Sequence, residues 1–142
     1  DYYDHLINST LDTLVAKQHS PGFLKLVTDC KQRIQEITPQ ALKDKLVRRD
    51  ELCLIDVRED SEWNSSGHIP SAIHLSRGIL ERDIEKQFPD YNRPVVLYCS
   101  GGFRCALAAD SLQQMGYQHV YSLKTGLQGW IDAGFEIEDV IR

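Results

Sequence analysis

Residues 94–109 read PVVLYCSGGFRCALAA, and they predict a strand, a tight loop and a helix in succession. The stretch opens with the apolar run Val95–Tyr98, which lies between a proline and Ser-Gly-Gly and predicts a buried central strand. The segment from Ala106 to Met115 is rich in strong helix formers with apolar residues at helical spacing, so it predicts a helix. A tight loop from Cys99 to about Arg104 joins the two, and its adjacent glycines permit backbone angles that other residues avoid.

The same loop places Cys99 where a thiol becomes acidic. Loops of this kind point successive N–H groups into a shared concavity, and the helix that follows adds the positive end of its dipole. Thiols at helix N-termini or beside arginine have a pKa of ~3.5–7.5 instead of ~8.5. Arg104 adds a fixed charge and a planar fork that suits an oxyanion. We therefore predict a nucleophilic Cys99 that forms a covalent intermediate with an anionic substrate; a buried inert cysteine is the alternative.

Length and composition narrow the class of protein. A chain of 142 residues with 42% hydrophobic and 26% charged residues fits one globular domain with a sizeable core. The net charge of −5 argues against a nucleic-acid partner, and no apolar run approaches the ~20 residues that span a bilayer, so we expect no membrane partner. The acidic start shows no signal peptide, and because it lacks an initiator methionine an upstream segment could be missing.

The cysteine spacing predicts neither a metal nor a disulfide framework. The four cysteines are Cys30, Cys53, Cys99 and Cys105, with no Cys-x2-Cys pair and no histidine at a metal-site spacing. We therefore expect no metal and no cofactor. An even count permits disulfides, but a domain of this length does not need them, so a reducing, cytoplasmic location is predicted.

Residues 1–36 predict a helical extension that precedes the main domain. Two helices are expected, roughly over residues 2–18 and 21–35, the second starting at Ser20-Pro21. We expect the second helix to pack on the domain in cis, with Cys30 in its buried stripe. The first helix could pack in the same way or dock on another subunit to form a homodimer, since it has an apolar stripe of its own, formed by Ile7, Leu11, Leu14 and Val15.

From residue 37 to residue 142 short strands alternate with helices, which predicts an α/β domain with a mainly parallel sheet. The apolar run from Leu52 to Val57 predicts a second central strand. Asp56 and Arg58 lie at its C-terminal end, where open α/β sheets build their sites, and we favour structural roles for both. The other predicted elements are a helix from Thr38-Pro39, a short helix from Asp60, a strand over 72–75, a helix over 80–88, a strand over 119–123 and a helix over 126–133.

Four stretches taken together resemble the rhodanese (sulfurtransferase) family. They are LIDVRE at 54–59, the segment from Glu62-Trp63 to GHIPSA at 67–72, CSGGFR at 99–104, and GLxxW at 126–130. They occur in order over about residues 37–136, so residues 1–36 lie outside the family core. The resemblance implies a three-layer fold with a five-stranded parallel sheet flanked by helices.

The resemblance also implies a reaction. Cys99 would take the outer sulfur of a small anionic donor such as thiosulfate as a persulfide, and would pass it to cyanide, a thiol or a protein cysteine. The resemblance implies that the substrate is bound by the residues of the loop after the cysteine, which are Ser100, Gly101, Gly102, Phe103 and Arg104. Three further residues are candidates for supporting roles on their own positions in the sequence: Asp56, Arg58 and Cys105.

Two positions depart from the family pattern. Ser100 stands where the best-studied thiosulfate-using enzymes of the family carry arginine, so thiosulfate is expected to be a poor donor. Cys105 stands where a small serine, threonine or alanine is commoner. It could resolve the persulfide or form a disulfide with Cys99 upon oxidation, but we favour the interpretation that it packs as a small apolar residue.

Two other functions compete with a sulfurtransferase. Cysteine phosphatases also use a cysteine, loop amides and an arginine, but their Cys-x5-Arg loop is one residue longer than the Cys-x4-Arg loop found here. A non-catalytic binding or regulatory module is the second alternative. Such modules often lose the cysteine, whereas Cys99 and Arg104 are both present.

Overall fold

The structure is a computed structural model that describes residues 19–140. The predicted first helix, over residues 2–18, and the proposed homodimer contact through it lie outside the described residues. The elements in chain order are α1 (Pro21–Lys31), β1 (Gln35–Ile37), α2 (Pro39–Val47), β2 (Cys53–Asp56), α3 (Asp60–Ser65), β3 (Ile73–His74), α4 (Leu80–Gln87), β4 (Val95–Tyr98), α5 (Arg104–Met115), β5 (Val120–Leu123) and α6 (Gly126–Asp132).

A five-stranded parallel sheet forms the middle of the molecule, in the order β1-β5-β4-β2-β3. β4 is central, and it lies against β2 with Asp56 opposite Tyr98. All four residues of β4 are buried, as are all four of β2, because helices cover both faces of the sheet. This arrangement confirms the predicted α/β fold with a five-stranded parallel sheet flanked by helices.

The alternation of side chains along β4 decides which face holds Cys99. Val95, Leu97 and Cys99 belong to the core cluster on the face that α4 and α5 cover. Val96 and Tyr98 belong to the cluster on the other face, with Trp130 of α6. Cys99 therefore emerges at the carboxyl end of the central strand, on the same face as α5.

Helix α1 packs on the main domain in cis, as predicted. Its residues Leu24, Val27 and Cys30 form a third core cluster with Phe103 and Ala106. The Cys30 thiol donates to the Ala106 carbonyl over 2.9 Å, so Cys30 is a core residue as expected.

The predicted end of this helix at residue 35 was wrong, because α1 ends at Lys31 and the chain then forms β1. Gln35–Ile37 pair in parallel with Tyr121–Leu123. The hydrogen bonds to β5 take the place of the hydrogen bonds that a further turn of α1 would form. The sheet thus begins before residue 37. The division of the chain into an extension and a domain at that residue stays a prediction.

Over the described range 19–140, no helix has the length and apolar character required to cross a membrane. Within the same range, no group of three histidine, cysteine, aspartate or glutamate side chains is arranged to hold a metal ion.

Candidate active site

The Cys99 sulfur accepts hydrogen bonds from two backbone amides. The Cys99 loop, defined as residues 99–104, turns from β4 into the first turn of α5. The Gly102 amide donates to Cys99 Sγ over 3.2 Å and the Cys105 amide donates over 3.5 Å. Burial alone would raise the pKa of this thiol, but the Cys105 side chain and amide, the Arg104 charge and the Gly102 amide outweigh it and lower the pKa of Cys99 from 9.0 to about 6. This lowered pKa favours the thiolate form of Cys99 at neutral pH.

Cys105 lies directly beneath this sulfur. Its Sγ atom is 3.5 Å from Cys99 Sγ, and the Ser122 hydroxyl donates to it over 3.0 Å. Burial and the neighbouring Cys99 thiolate raise the pKa of Cys105. With Cys99 ionised and Cys105 protonated, the Cys105 S–H is the donor between the two sulfurs. The contact fits both interpretations of Cys105, so the packing role that we favour stays a prediction and the redox role stays its alternative.

The two glycines of the loop have different roles. Only Gly102 has a positive φ, at +95°, and a Cβ there would lie 2.9 Å from the Thr125 amide nitrogen. A Cβ on Gly101 would meet nothing closer than a ring carbon of Phe103 at 4.0 Å. The tight turn therefore requires glycine at position 102, whereas the sequence analysis treated the pair as equivalent.

Helix α6 holds the loop from its carbonyl side. The Leu127 amide donates to the Cys99 carbonyl over 2.8 Å, and the Gln128 amide donates to the Ser100 carbonyl over 3.0 Å. Gly126 makes this approach possible, because its φ is +60° and a Cβ on it would lie 2.5 Å from the Cys99 carbonyl oxygen. The N-terminus of α6 thus binds the carbonyls of the Cys99 loop, while the Gly102 and Cys105 amides donate to the sulfur.

Glu62 belongs to one of the stretches that resemble the family, but its contact with the Cys99 loop was not predicted from the sequence. Its carboxylate forms a bidentate ion pair with the Arg104 guanidinium, at 2.6 and 3.0 Å, and it also accepts from the Ser100 hydroxyl over 2.9 Å. The pair with Arg104 is the main reason that the pKa of Glu62 falls from 4.5 to about 2. The Glu59 amide donates to the same carboxylate over 3.1 Å, which fixes it at the start of α3. The Glu-x-x-Glu spacing of a capping box was the available signal.

Asp56 and Arg58 form a buried ion pair at the end of β2, with 2.8 Å between the closest nitrogen and oxygen atoms. The Arg58 guanidinium also donates to the Ser66 hydroxyl and to the Gly67 carbonyl, each over 3.0 Å. These contacts satisfy Arg58 inside the protein and join the segment after α3 to the sheet. They support the structural roles favoured for both residues.

The Phe103 side chain belongs to the α1 cluster instead of the Cys99 cluster. Its ring makes edge contacts with His19 and Phe23, at centroid distances of 4.9 and 6.2 Å, and Lys31 Nζ lies 5.3 Å from its centroid. The side chain therefore anchors the loop to α1, which leaves the backbone as the part of Phe103 that could serve the predicted substrate-binding role.

Comparison with known proteins identifies relatives of the whole domain. A family model of the rhodanese-like domain matches residues 38–133. The chain is 35% identical over 97 residues to YtwF of Bacillus subtilis, which carries a provisional sulfurtransferase name; the match covers 68% of this chain and 90% of that protein. It is 34% identical over 86 residues to the thiosulfate sulfurtransferase GlpE of Coxiella burnetii, covering 61% of this chain and 78% of that protein.

Solved structures show the same fold over more of the chain. A protein of unknown function from Rhodopseudomonas palustris, described as a possible tyrosine phosphatase, superposes with a TM-score of 0.76 at 29% identity, covering 84% of this chain and 96% of that chain. The polysulfide-sulfur transferase homodimer of Wolinella succinogenes superposes with a TM-score of 0.72, also at 29% identity, covering 84% of this chain and 88% of that chain.

Proposed function

The chain belongs to the rhodanese-like domain family, and from this membership we propose that it is a sulfurtransferase that moves sulfane sulfur from a donor to a thiophilic acceptor through a persulfide on Cys99. The observation that supports this most is the lowered pKa of Cys99, about 6, together with the Gly102 and Cys105 amides that donate to its sulfur. The sulfurtransferase names of its relatives agree with the proposal.

In the first step the Cys99 thiolate attacks the outer, sulfane sulfur of the donor. A bond forms between Cys99 Sγ and that sulfur, and the bond between the sulfane sulfur and the rest of the donor breaks. The electron pair of the broken bond leaves with the rest of the donor molecule, which is sulfite when the donor is thiosulfate and a thiolate when the donor is an organic persulfide. Because Cys99 is already ionised, this step needs no general base.

In the second step the acceptor, a thiolate or cyanide, attacks the outer sulfur of the Cys99 persulfide. The bond to Cys99 Sγ breaks, and its electron pair returns to Cys99 as the thiolate. The low pKa of Cys99 favours this step because thiols of low pKa are better leaving groups. The N–H groups that now bind Cys99 Sγ, from Gly102 and Cys105, would stabilise negative charge on the sulfurs in both steps.

The Cys99 loop favours phosphatase activity less than sulfurtransferase activity. Four residues separate Cys99 from Arg104, one fewer than in the Cys-x5-Arg loop of cysteine phosphatases. The Arg104 guanidinium, which would hold a phosphate, is bound by the Glu62 carboxylate at 2.6 and 3.0 Å.

A binding module is disfavoured because such a role needs no ionised cysteine. Here the pKa of Cys99 is lowered although burial of the sulfur makes its charged form costly to desolvate. The four free thiols suit the reducing cytoplasm that the proposal assumes.

Thiocyanate formation from cyanide tests this function. The wild type, Cys99→Ser and Cys53→Ala are compared with thiosulfate and with glutathione persulfide as donors, and p-nitrophenyl phosphate hydrolysis is measured alongside. Cys53 is a buried thiol of β2 and serves as the matched control. We expect turnover of at least one donor by the wild type and Cys53→Ala, none by Cys99→Ser, and no phosphate release. Thiocyanate formation by Cys99→Ser at the wild-type rate, or phosphate release that depends on Cys99, would contradict the proposal.

A further inference from the structure

The two polar side chains of the Cys99 loop after the cysteine itself, Ser100 and Arg104, are bound to one carboxylate of another element. The Ser100 hydroxyl donates to Glu62 Oε2 over 2.9 Å, and Arg104 reaches both oxygens of Glu62 at 2.6 and 3.0 Å. Ser100 and Arg104 also contact each other at 3.3 Å. Ser100 and Arg104, the side chains that could bind an anionic substrate, are therefore both bound to the Glu62 carboxylate.

This carboxylate remains charged and in place under working conditions. The pKa of Glu62 is about 2, chiefly because of its hydrogen bonds with Arg104, so no physiological pH protonates it. Glu62 lies in the first turn of α3, where the Glu59 amide donates to its carboxylate over 3.1 Å. Arg104 and Glu62 are each about one-third exposed, at 31% and 32%, so the pair is accessible to solvent.

We propose that Glu62 selects the sulfur donor: by neutralising Arg104 at the mouth of the Cys99 loop, it disfavours dianionic donors such as thiosulfate and favours donors whose leaving group has less negative charge, such as organic persulfides and thiosulfonates. This inference rests on the proposed sulfurtransferase function and names its substrate class.

The physical reason is the sign and number of charges beside the reacting sulfur. In thiosulfate the attacked sulfur is bonded directly to the sulfonate group, and the sulfite that leaves is a dianion. Such a group next to Arg104 would also lie next to the Glu62 carboxylate, since the two are 2.6 Å apart. The ion pair is nearly neutral overall, so it offers little attraction to a second negative charge. The Gly102 and Cys105 amides remain available to the sulfur itself and act equally on all donors.

Two donors that differ by one charge make the test direct. Thiosulfate transfers its sulfane sulfur to the Cys99 thiolate and releases sulfite. Benzenethiosulfonate transfers an equivalent sulfur and releases benzenesulfinate, a monoanion, so both reactions balance without any oxidant or reductant. The measurement is kcat/KM for thiocyanate formation with each donor. The ratio of the thiosulfate value to the benzenethiosulfonate value is compared among variants, because a ratio cancels differences in the fraction of active protein.

The decisive variant is Glu62→Gln, which removes the charge but keeps a side chain able to serve in a capping box at this position of α3. Glu62→Asp retains the charge and tests geometry alone. Asp50→Asn is the matched control, because Asp50 also forms a bidentate pair with an arginine, Arg48, with nitrogen–oxygen distances of 2.9 and 3.5 Å. Asp50 precedes the first residue of β2, whereas Cys99 follows the last residue of β4, so the two lie at opposite ends of the parallel strands.

We expect Glu62→Gln to raise the donor ratio on the order of tenfold, as removal of one nearby charge predicts, and to lose part of this gain at high salt. Asp50→Asn should leave the ratio within about twofold of the wild type. Asp50 precedes Cys53, which lies opposite Val95, and Cys99 is four residues beyond Val95, or roughly 13 Å at about 3.3 Å per residue, which exceeds a Debye length of about 8–10 Å. Glu62→Asp should leave the ratio low.

An unchanged or lower ratio in Glu62→Gln would overturn the inference, because Glu62 would then only position Arg104. An equal rise in Asp50→Asn would also overturn it, because the effect would be one of net charge. These failures differ from a failure of the proposed function, in which the wild type would form thiocyanate from neither donor.

Discussion

The reactivity of Cys99 depends on a second cysteine, Cys105, which lowers its pKa. The pKa of Cys30 is raised to about 11 and the pKa values of Cys53 and Cys105 are raised as well, so Cys99 is the cysteine that ionises near neutral pH. We expect ultraviolet absorbance of the thiolate to appear with a midpoint near pH 6 in the wild type. The rate of persulfide formation should rise as pH rises through that midpoint and then become constant, since the thiolate is the nucleophile.

Cys105→Ala tests the origin of that midpoint. The Cys105 side chain is the strongest of the groups that lower the pKa of Cys99, so its removal should raise the midpoint by roughly one pH unit. Cys105→Ser keeps a hydroxyl donor at the same place and should shift the midpoint less. Equal midpoints in the alanine and serine variants would show that hydrogen bonding from position 105 does not stabilise the thiolate.

The N-terminus of α6 keeps the Cys99 loop in position, and Gly126 allows the contact. A Cβ at position 126 would lie 2.5 Å from the Cys99 carbonyl oxygen, so Gly126→Ala should displace the loop and lower the rate of persulfide formation by at least about tenfold. Gly134→Ala is the control, because Gly134 also has a positive φ, +84°, but a Cβ there would meet nothing within 4 Å.

Gly134→Ala should lose about 1–2 kcal/mol of unfolding free energy from left-handed backbone strain, measured by urea unfolding. Gly126→Ala should lose at least as much, because its clash with the Cys99 carbonyl adds to the same strain. A matching loss of persulfide formation in Gly134→Ala would mean that global stability, and not the loop contact, limits the rate.

Helix α1 is part of the folded domain because it covers Phe103 and the start of α5. Leu24 is fully buried in this contact, whereas Leu26 on the same helix is 62% exposed. We expect Leu24→Ala to lower the free energy of unfolding by about 2–5 kcal/mol and Leu26→Ala to change it by less than about 0.5 kcal/mol. Equal small effects in urea unfolding would mean that α1 contributes little to the stability of the domain.

Across the whole molecule, the features that follow from local periodicity were predictable from the sequence. The apolar runs that became β2 and β4 and the Ser-Gly-Gly turn at Cys99 each have a local signature, so the parallel sheet and the position of the nucleophile could be inferred. Glu62 could not be placed in the same way. Its contact with Arg104 joins residues 42 positions apart, and it exists only because α3 packs beside the loop in the folded chain.

The end of α1 also depended on tertiary structure. Residues 32–35 have no local signal that forbids a helix, but Gln35 finds a partner in β5 only after the sheet has assembled. Tertiary pairing thus overrides local propensity at this boundary.

The Glu62–Arg104 pair should also make the stability of the molecule depend on pH. The pKa of Glu62 is lowered from 4.5 to about 2, so its contribution is complete above about pH 4.5 and is lost as pH falls toward 2. Because the pair is about one-third exposed, the contribution is about 1 kcal/mol or less. Urea unfolding near pH 6 and near pH 3 should show a greater loss for the wild type than for Glu62→Gln. Equal losses in both would mean that the pair does not stabilise the fold.

Intact-mass spectrometry of the whole chain shows whether Cys99 accepts and holds a sulfur atom. Wild type and Cys99→Ser are incubated briefly with benzenethiosulfonate, and half of each sample is then treated with cyanide. We expect the wild type to gain one sulfur, about 32 mass units, and to lose it with cyanide, while Cys99→Ser gains nothing. Absence of any gain in a wild-type protein whose Cys99 still reacts with iodoacetamide near pH 6 would contradict the persulfide mechanism.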